Sequence, residues 1–262
     1  MCVVDVGAGG ETAAERWAGR QEGRGIPPEI LARAPASPWL HDPSYFVAPE
    51  VPLDTPSRSV ALDLLDAGGT VLDVGAGGGA ASLALAGAVT HLTAVDQQVD
   101  MLEVLAAGAA ARGIPVRTVR GRWPDAAADA GRADVVLSHH VLHNVVDLPP
   151  FLRALTAAAG RGVVVEMLAE HPMAWLDPLW VRFHDLHRPP PATTDDAVAV
   201  LRELGVDPRV LRWERASPPK QDPAWVTARL CLPAGREPEV VDALAALPHR
   251  RPRLAATLVW RP

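Results

Sequence analysis

Short apolar runs alternate with longer segments of helical length along the middle of this chain. "TVLDV" (70–74), "HLTAV" (91–95), "PVRTV" (115–119), "ADVVLS" (133–138) and "GVVVEML" (162–168) each have the length and β-branched content of a single strand. An Ala/Leu-rich stretch beginning near Gly79 reads as a helix. So does "QQVDMLEVLAAGAAARG", in which Val99, Met101, Leu102, Val104 and Leu105 share one buried face. Strand-like runs alternating with helices predict crossover units and a parallel sheet covered on both sides.

Past the fifth run the rhythm changes. Residues 169–192 are rich in Pro, Trp and His and keep no period. "TTDDAVAVLRELG" then predicts a helix, opened by Thr193 and Asp196 in capping-box spacing and stopped at Gly205. "RVLRWER" (209–215) and "LAATLVW" (254–260) read as strands. "DPAWVTARLCL" between them fits either state, and its wider pattern favours helix. Ahead of the sheet, "ETAAERWAGRQEGRG", "PPEILARA" and "PSRSVALDLL" predict helices, the last with Pro56 in the first turn. Residues 1–54 are thus expected to form a helical cover on a 55–262 domain, with residues 168–192 as an inserted segment or substrate lid.

Composition narrows the function. The chain has 262 residues, 48% hydrophobic and 21% charged, enough for a substantial core. A net charge of −6 without any Lys/Arg-rich block disfavours nucleic acid as a partner. The two cysteines form no metal-type spacing and suggest no disulfide framework. No apolar run reaches membrane-spanning length and no secretory leader pattern opens the chain, so a cytoplasmic monomer or homodimer is expected.

The six residues "DVGAGG" occur twice, at Asp5–Gly10 and Asp73–Gly78. A ligand-binding turn needs a buried strand before it, a helix after it and an acid about 20 positions on. The second copy meets all three demands. Gly75 and Gly77 permit the tight turn and close backbone approach, Gly79 keeps the next segment clear, and Asp96 closes "HLTAV" 21 positions after Gly75. The first copy has only "MCVV" ahead of it and Glu11 in place of the third glycine, so it is expected to be coincidental. "GAGGGA" also satisfies a nicotinamide-dinucleotide pattern. Asp73, at the strand end, would repel a pyrophosphate and attract a ligand carrying ammonium and sulfonium groups.

"VLDVGAGGG" resembles the first motif of class I S-adenosylmethionine-dependent methyltransferases, and three later segments agree in order and spacing. "LTAVDQQVDML" is similar to the second motif, "VRTVRGRWPD" to the third-strand segment and "ADVVLSHHVLHNVVDL" to the fourth. The resemblance implies a Rossmann-like, doubly wound, mostly parallel α/β sheet of seven strands. It implies S-adenosylmethionine as cofactor, held by Asp73, Gly75, Ala76, Gly77, Gly79, Asp96, Gln97, Met101, Ser138 and His139. Asp96 would accept both ribose hydroxyls and Met101 would lie near the adenine. Where the family often has Gly-Asp-Ala this chain has Gly121-Arg122-Trp123. Trp123 is expected either to stack on the adenine or to lie in the core, and Arg122 to face the ligand or the structure.

Methyl transfer needs a base only if the nucleophile must lose a proton. His140, with His139 beside it, follows the fourth strand at the sheet's ligand-binding edge and is the candidate base. His139 and His143 have a helical metal-ligand spacing, but nothing completes such a site and no metal is expected. His143, Trp175, Trp180, Phe183 and His184 are the candidate substrate wall, with "SPWLHDPSYF" (37–46) opposite. The motifs typical of DNA amino-base, cytosine-C5 and magnesium-dependent catechol methylation are absent, leaving a small organic acceptor methylated on O or N. An NAD(P)-dependent oxidoreductase and a non-catalytic S-adenosylmethionine-binding regulator are the alternatives.

Overall fold

In a computed structural model, which describes residues 10–35, 37–38, 43–215, 222–248 and 252–262, the apolar runs become the strands of one sheet. These are β1 (Gly69–Val74), β2 (Val89–Asp96), β3 (Val116–Arg120), β4 (Ala133–His139), β5 (Ala159–Leu168), β6 (Arg209–Arg215) and β7 (Arg253–Trp260). Their order is β3-β2-β1-β4-β5-β7-β6, parallel except for β7, which runs against both its neighbours. The order reverses between β1 and β4, and the crevice at the carboxyl ends of those strands is where such sheets receive ligands.

The helices are α1 (Ala13–Glu22), α2 (Pro28–Leu31), α3 (Pro56–Leu65), α4 (Val99–Ala111), α5 (Ala127–Ala130), α6 (Leu148–Ala158), α7 (Asp177–His184), α8 (Thr194–Glu203), α9 (Pro223–Arg229) and α10 (Glu237–Ala245). Strand side chains alternate between faces, and both faces are apolar. Leu72, Val136, Val163 and Val165 meet Leu152, Leu155 and Leu201 of α6 and α8 on one side. Val71, Val135, Leu137 and Val164 meet Leu65, Leu102 and Leu105 of α3 and α4 on the other. A third apolar cluster, around Trp180, Val226, Leu230 and Val240, joins α7, α9 and α10.

Helix boundaries follow local chemistry. Thr193 and Asp196 close the expected capping box, with the Thr193 amide 2.8 Å from Asp196 Oδ2. Thr12 and Glu15 form a second box at α1. That helix is sewn to the sheet's mouth: Trp17 is fully buried and its Nε1 donates to the Val145 carbonyl at 2.7 Å. The ambiguous "DPAWVTARLCL" segment contributes α9, in keeping with the wider pattern.

Two expectations need correction. The stretch after Gly79 is not an α-helix; Leu83–Ala88 forms a 3-10 turn. Gly75, Gly77 and Gly79 all take positive φ, so the chain turns repeatedly and only a short run remains before β2. Val99 does not join the buried face of α4: it is 46% exposed at the helix start, whereas Met101, Leu102, Leu105 and Ala109 are buried. Asp5–Gly9, the bulk of the first "DVGAGG", lie outside the described residues, as do residues 39–42 of the proposed substrate wall. Among the described residues no helix is long and apolar enough to cross a membrane.

Candidate active site

The second "DVGAGG" lies where β1 ends at the switch point. The Gly75 and Ala76 amides both donate to the Val95 carbonyl, at 2.8 and 3.0 Å, which folds the turn back against the end of β2. Gly75 takes φ +71°, and a Cβ there would meet Val141 at 2.4 Å, so the turn needs glycine on both counts. Above Gly77 there is room: a Cβ would find Phe46 only at 3.9 Å. Asp96 anchors the far side, its Oδ2 accepting from the Gly77 amide at 2.8 Å and its Oδ1 from the Gln98 amide at 2.9 Å. A carboxylate has about four lone-pair positions, so it keeps capacity for further donors.

Asp73 is fully buried beneath the turn, with neither carboxylate oxygen in a well-formed hydrogen bond to a described partner. Burial pushes its carboxyl up to about 6. The nearby Ser82 hydroxyl and amide pull the other way, and the charge of Asp96 adds to the rise. Ser138 Oγ and His139 Nε2 at the end of β4 are likewise buried without a described partner. Buried polar groups are normally satisfied. A set of orphans at the switch point, around two carboxylates, fits a ligand with positive charge and several donors.

Next to the turn, β4, β5 and β6 bring a second group together. Glu166 is an acid in the otherwise apolar "VVVEML" of β5 and is buried. Its Oε1 lies 3.0 Å from His140 Nε2 and 2.8 Å from Arg215 Nη1, so an imidazole and a guanidinium converge on one oxygen. Its Oε2 lies 3.9 Å from His139 Nδ1. Burial alone would raise this carboxyl. The His140 hydrogen bond, the charges of His139 and His140 and the Ser57 hydroxyl outweigh it and hold the group down to about 2. The His140 amide donates to the Glu166 carbonyl at 2.6 Å, and His140 takes φ +60°, a backbone region side-chain-bearing residues seldom adopt. Burial drives His139 down to about 4, so it is neutral near pH 7.

A cavity of about 260 Å³ opens beyond this group, between α1, the loop after β4, the segment after β5 and the end of α9. His143 and Trp180, two of the candidate substrate-wall residues, are among those lining it. His143 Nε2 is tied to the Leu168 carbonyl at 3.1 Å and its ring meets His171 edge-on at 5.5 Å. Burial lowers His143 to about 3, with the nearby His171 and His140 adding to the shift.

Other sequence-derived candidates fall elsewhere. Trp123, for which stacking on the adenine and a place in the core were both open, lies in the core: it is buried in the first apolar cluster and its Nε1 donates to the Phe151 carbonyl at 3.2 Å. Arg122 and Gln97 are exposed at the rim, while Met101 is buried at the start of α4. Trp175, Phe183 and His184 do not line the cavity. Phe183 lies under the Arg182 and Arg236 guanidiniums, His184 is hydrogen-bonded to the Leu230 carbonyl at 2.7 Å, and Trp175 packs on the third apolar cluster. Sequence reasoning missed Glu166, Arg215 and His171. Glu166 did leave a signal, since an acid inside a fully apolar strand must have partners. Arg215 and His171 left none. Among the described residues no group of three or more His, Cys, Asp or Glu is placed to hold a metal ion.

Comparison with known proteins agrees with this geometry. Residues 71–162, from β1 into β5, match a family described as "Methyltransferase domain". Over this stretch the chain is similar to methyltransferase domains. A ubiquinone biosynthesis O-methyltransferase of Methylobacterium nodulans is 38% identical over 108 residues, which is 41% of this chain and 41% of that protein. The chain thus matches well under half the length of that relative. Similarity of fold extends further than the sequence match. The YcgJ protein of Bacillus subtilis superposes with a TM-score of 0.54 at 18% identity, covering 79% of this chain and 98% of that one. A putative methyltransferase of Bacillus halodurans gives 0.53 at 16%, covering 79% and 97%. The magnesium protoporphyrin IX methyltransferase of Synechocystis, solved with bound SAH, gives 0.50 at 16%, covering 78% of each chain. The methyl donor of this class is S-adenosylmethionine, and the carboxylates and open glycine turn of the present site suit its charge.

Proposed function

We propose that the protein is an S-adenosylmethionine-dependent O-methyltransferase acting on a hydroxyl of a small organic acceptor. The observation that carries the cofactor half is the pair of carboxylates flanking the glycine turn, Asp73 and Asp96, near enough for one to raise the pKa of the other. They would repel the pyrophosphate of a dinucleotide and attract a cationic amino-acid sulfonium. Asp96 would accept the ribose hydroxyls, the Gly75–Gly79 backbone would pass beneath the amino-acid arm, and Asp73 would face its ammonium.

When bound, S-adenosylmethionine supplies an electrophilic methyl group and a neutral thioether leaving group. The protein's own part is to hold the acceptor oxygen in line, keep water out and take up its proton. Positioning of this kind supplies roughly 7–11 kcal/mol in favourable cases. His140 is placed to remove the proton. Glu166 and Arg215 fix its ring through Nε2, where Arg215 Nη1 lies 2.5 Å from it and 2.8 Å from Glu166 Oε1, and the Glu166 carboxylate offsets the charge of the imidazolium that forms. An O-methylating relative and a carboxylate-backed imidazole both favour a hydroxyl acceptor over one that needs no base.

The test is transfer of labelled methyl from S-adenosylmethionine to a panel of one-ring phenols and amines. The expected result is a methylated phenol. His140→Ala should slow transfer by about 10²–10⁴-fold while S-adenosylhomocysteine binding is retained. An His140→Ala enzyme as fast as wild type would remove His140 from its role. Labelled amines with no labelled phenol would overturn the hydroxyl assignment.

A further inference from the structure

Beyond the methyl-transfer centre, the cavity lined by His143 and Trp180 has a charge pattern that the proposed activity does not require. Three guanidiniums, of Arg24, Arg188 and Arg229, are among its lining residues, and no Asp or Glu is among its described lining residues. The nearest counter-charge, Asp177, sits behind the wall. It accepts from Arg24 Nη2 through both oxygens, at 2.8 and 2.9 Å, and lies 4.0 Å from Arg188 Nη1. Arg24 also donates to the Pro189 carbonyl at 2.7 Å. Asp177 is therefore shared between Arg24 and Arg188, and Arg24 takes most of it.

Arg188 carries the surplus. Its side chain is only 7% exposed, its Nε is buried without a described hydrogen-bond partner, and its guanidinium stacks on the Trp180 ring at 4.1 Å. Arg229 approaches from the end of α9, where it donates to the Pro38 carbonyl and stacks on Trp225. His171 and His143, also in the wall, are both held neutral by burial, with Arg24 and Arg188 adding to the effect at His171. A buried cation without a matching anion is costly, and a planar guanidinium fork matches a carboxylate.

We propose that this cavity binds the carboxylate of the methyl acceptor, which is a one-ring aromatic or similarly flat acid, with Arg188 as the principal contact and Trp180 against its apolar face. The volume, below the roughly 300–1,000 Å³ of pockets for drug-sized ligands, fits one ring and not a long chain. His140 stands just past the end of β4, three residues before His143. An acid seated here would therefore direct its hydroxyl back towards the base. This proposal rests on the methyltransferase reading given above.

The experiment is calorimetry of the full chain saturated with S-adenosylhomocysteine, titrated with benzoate and with benzamide, which has the same shape without the charge. Wild type should prefer benzoate by at least tenfold. Arg188→Gln should abolish that preference while leaving S-adenosylhomocysteine affinity unchanged, and Arg188→Lys should restore only part of it. Equal affinity for the two probes, binding of neither, or a preference that survives in Arg188→Gln would each overturn the proposal. The wild-type comparison decides the matter even if a variant fails to fold. Absence of S-adenosylhomocysteine binding in the first step would instead strike at the methyltransferase reading.

Discussion

Asp73 concentrates the electrostatic argument in one residue. Buried and beside Asp96, its carboxyl is pulled up to about 6 in the free protein. A bound ammonium would favour the ionised form, so binding must expel any proton carried there. Affinity for S-adenosylhomocysteine is therefore expected to be level above pH 6 and to fall below it, by up to about tenfold per pH unit. Asp73→Asn should bind more weakly at pH 7 and lose that slope; a wild-type profile flat between pH 7.5 and 5.5 would contradict the assignment. At this scale the sequence was partly readable. Asp73, Asp96 and His140 stood out because their places in ordered motifs fix their places on strand ends. Trp123 did not, because a tryptophan in a turn reads the same whether it faces a ligand or, as here, donates to the Phe151 carbonyl inside the core. Arg215 was invisible because its importance comes from β6 lying beyond β7 and running parallel to β5, so that its last residue reaches the same edge of the sheet as Glu166, which is a matter of strand order.

At the scale of elements, the glycine turn is held down by a short 3-10 turn at Pro43–Phe46. A Cβ on Gly78 would meet the Phe46 carbonyl oxygen at 2.0 Å, a backbone atom that cannot swing aside. Gly77 has positive φ but open space above it. Gly78→Ala is accordingly expected to cost roughly 1–3 kcal/mol of stability by overpacking, and more than Gly77→Ala, whose cost is limited to about 1–2 kcal/mol of left-handed strain. Denaturant melts of the two variants check the order; a reversed order would mean that the turn does not rest on Gly78. Strands and most helices were legible because burial on both faces demands unbroken apolar runs and because caps such as Thr193–Asp196 act locally. The segment after Gly79 misled because its Ala/Leu content suits a helix, while three left-handed glycines leave too little chain to build one.

For the molecule as a whole, the order β3-β2-β1-β4-β5-β7-β6 explains why residues so far apart in sequence share one edge. The reversal between β1 and β4 opens the crevice, the antiparallel β7 separates β5 from β6 and leaves the two parallel, and α1 with the post-β5 segment closes a cavity over the result. The alternating pattern predicted the parallel core but not the arginines of that cavity, which come from the turn after α1, the residues after α7 and the end of α9 and meet only in the folded chain. The central claim is that the crevice is an S-adenosylmethionine site. Its most direct test is parallel calorimetry of the intact protein with S-adenosylhomocysteine and with NAD⁺, repeated on Asp96→Ala. The account predicts one S-adenosylhomocysteine bound per chain, no binding of NAD⁺, and affinity at least tenfold weaker without the Asp96 carboxylate. Binding of NAD⁺ without S-adenosylhomocysteine, or an Asp96→Ala protein with undiminished affinity, would contradict it.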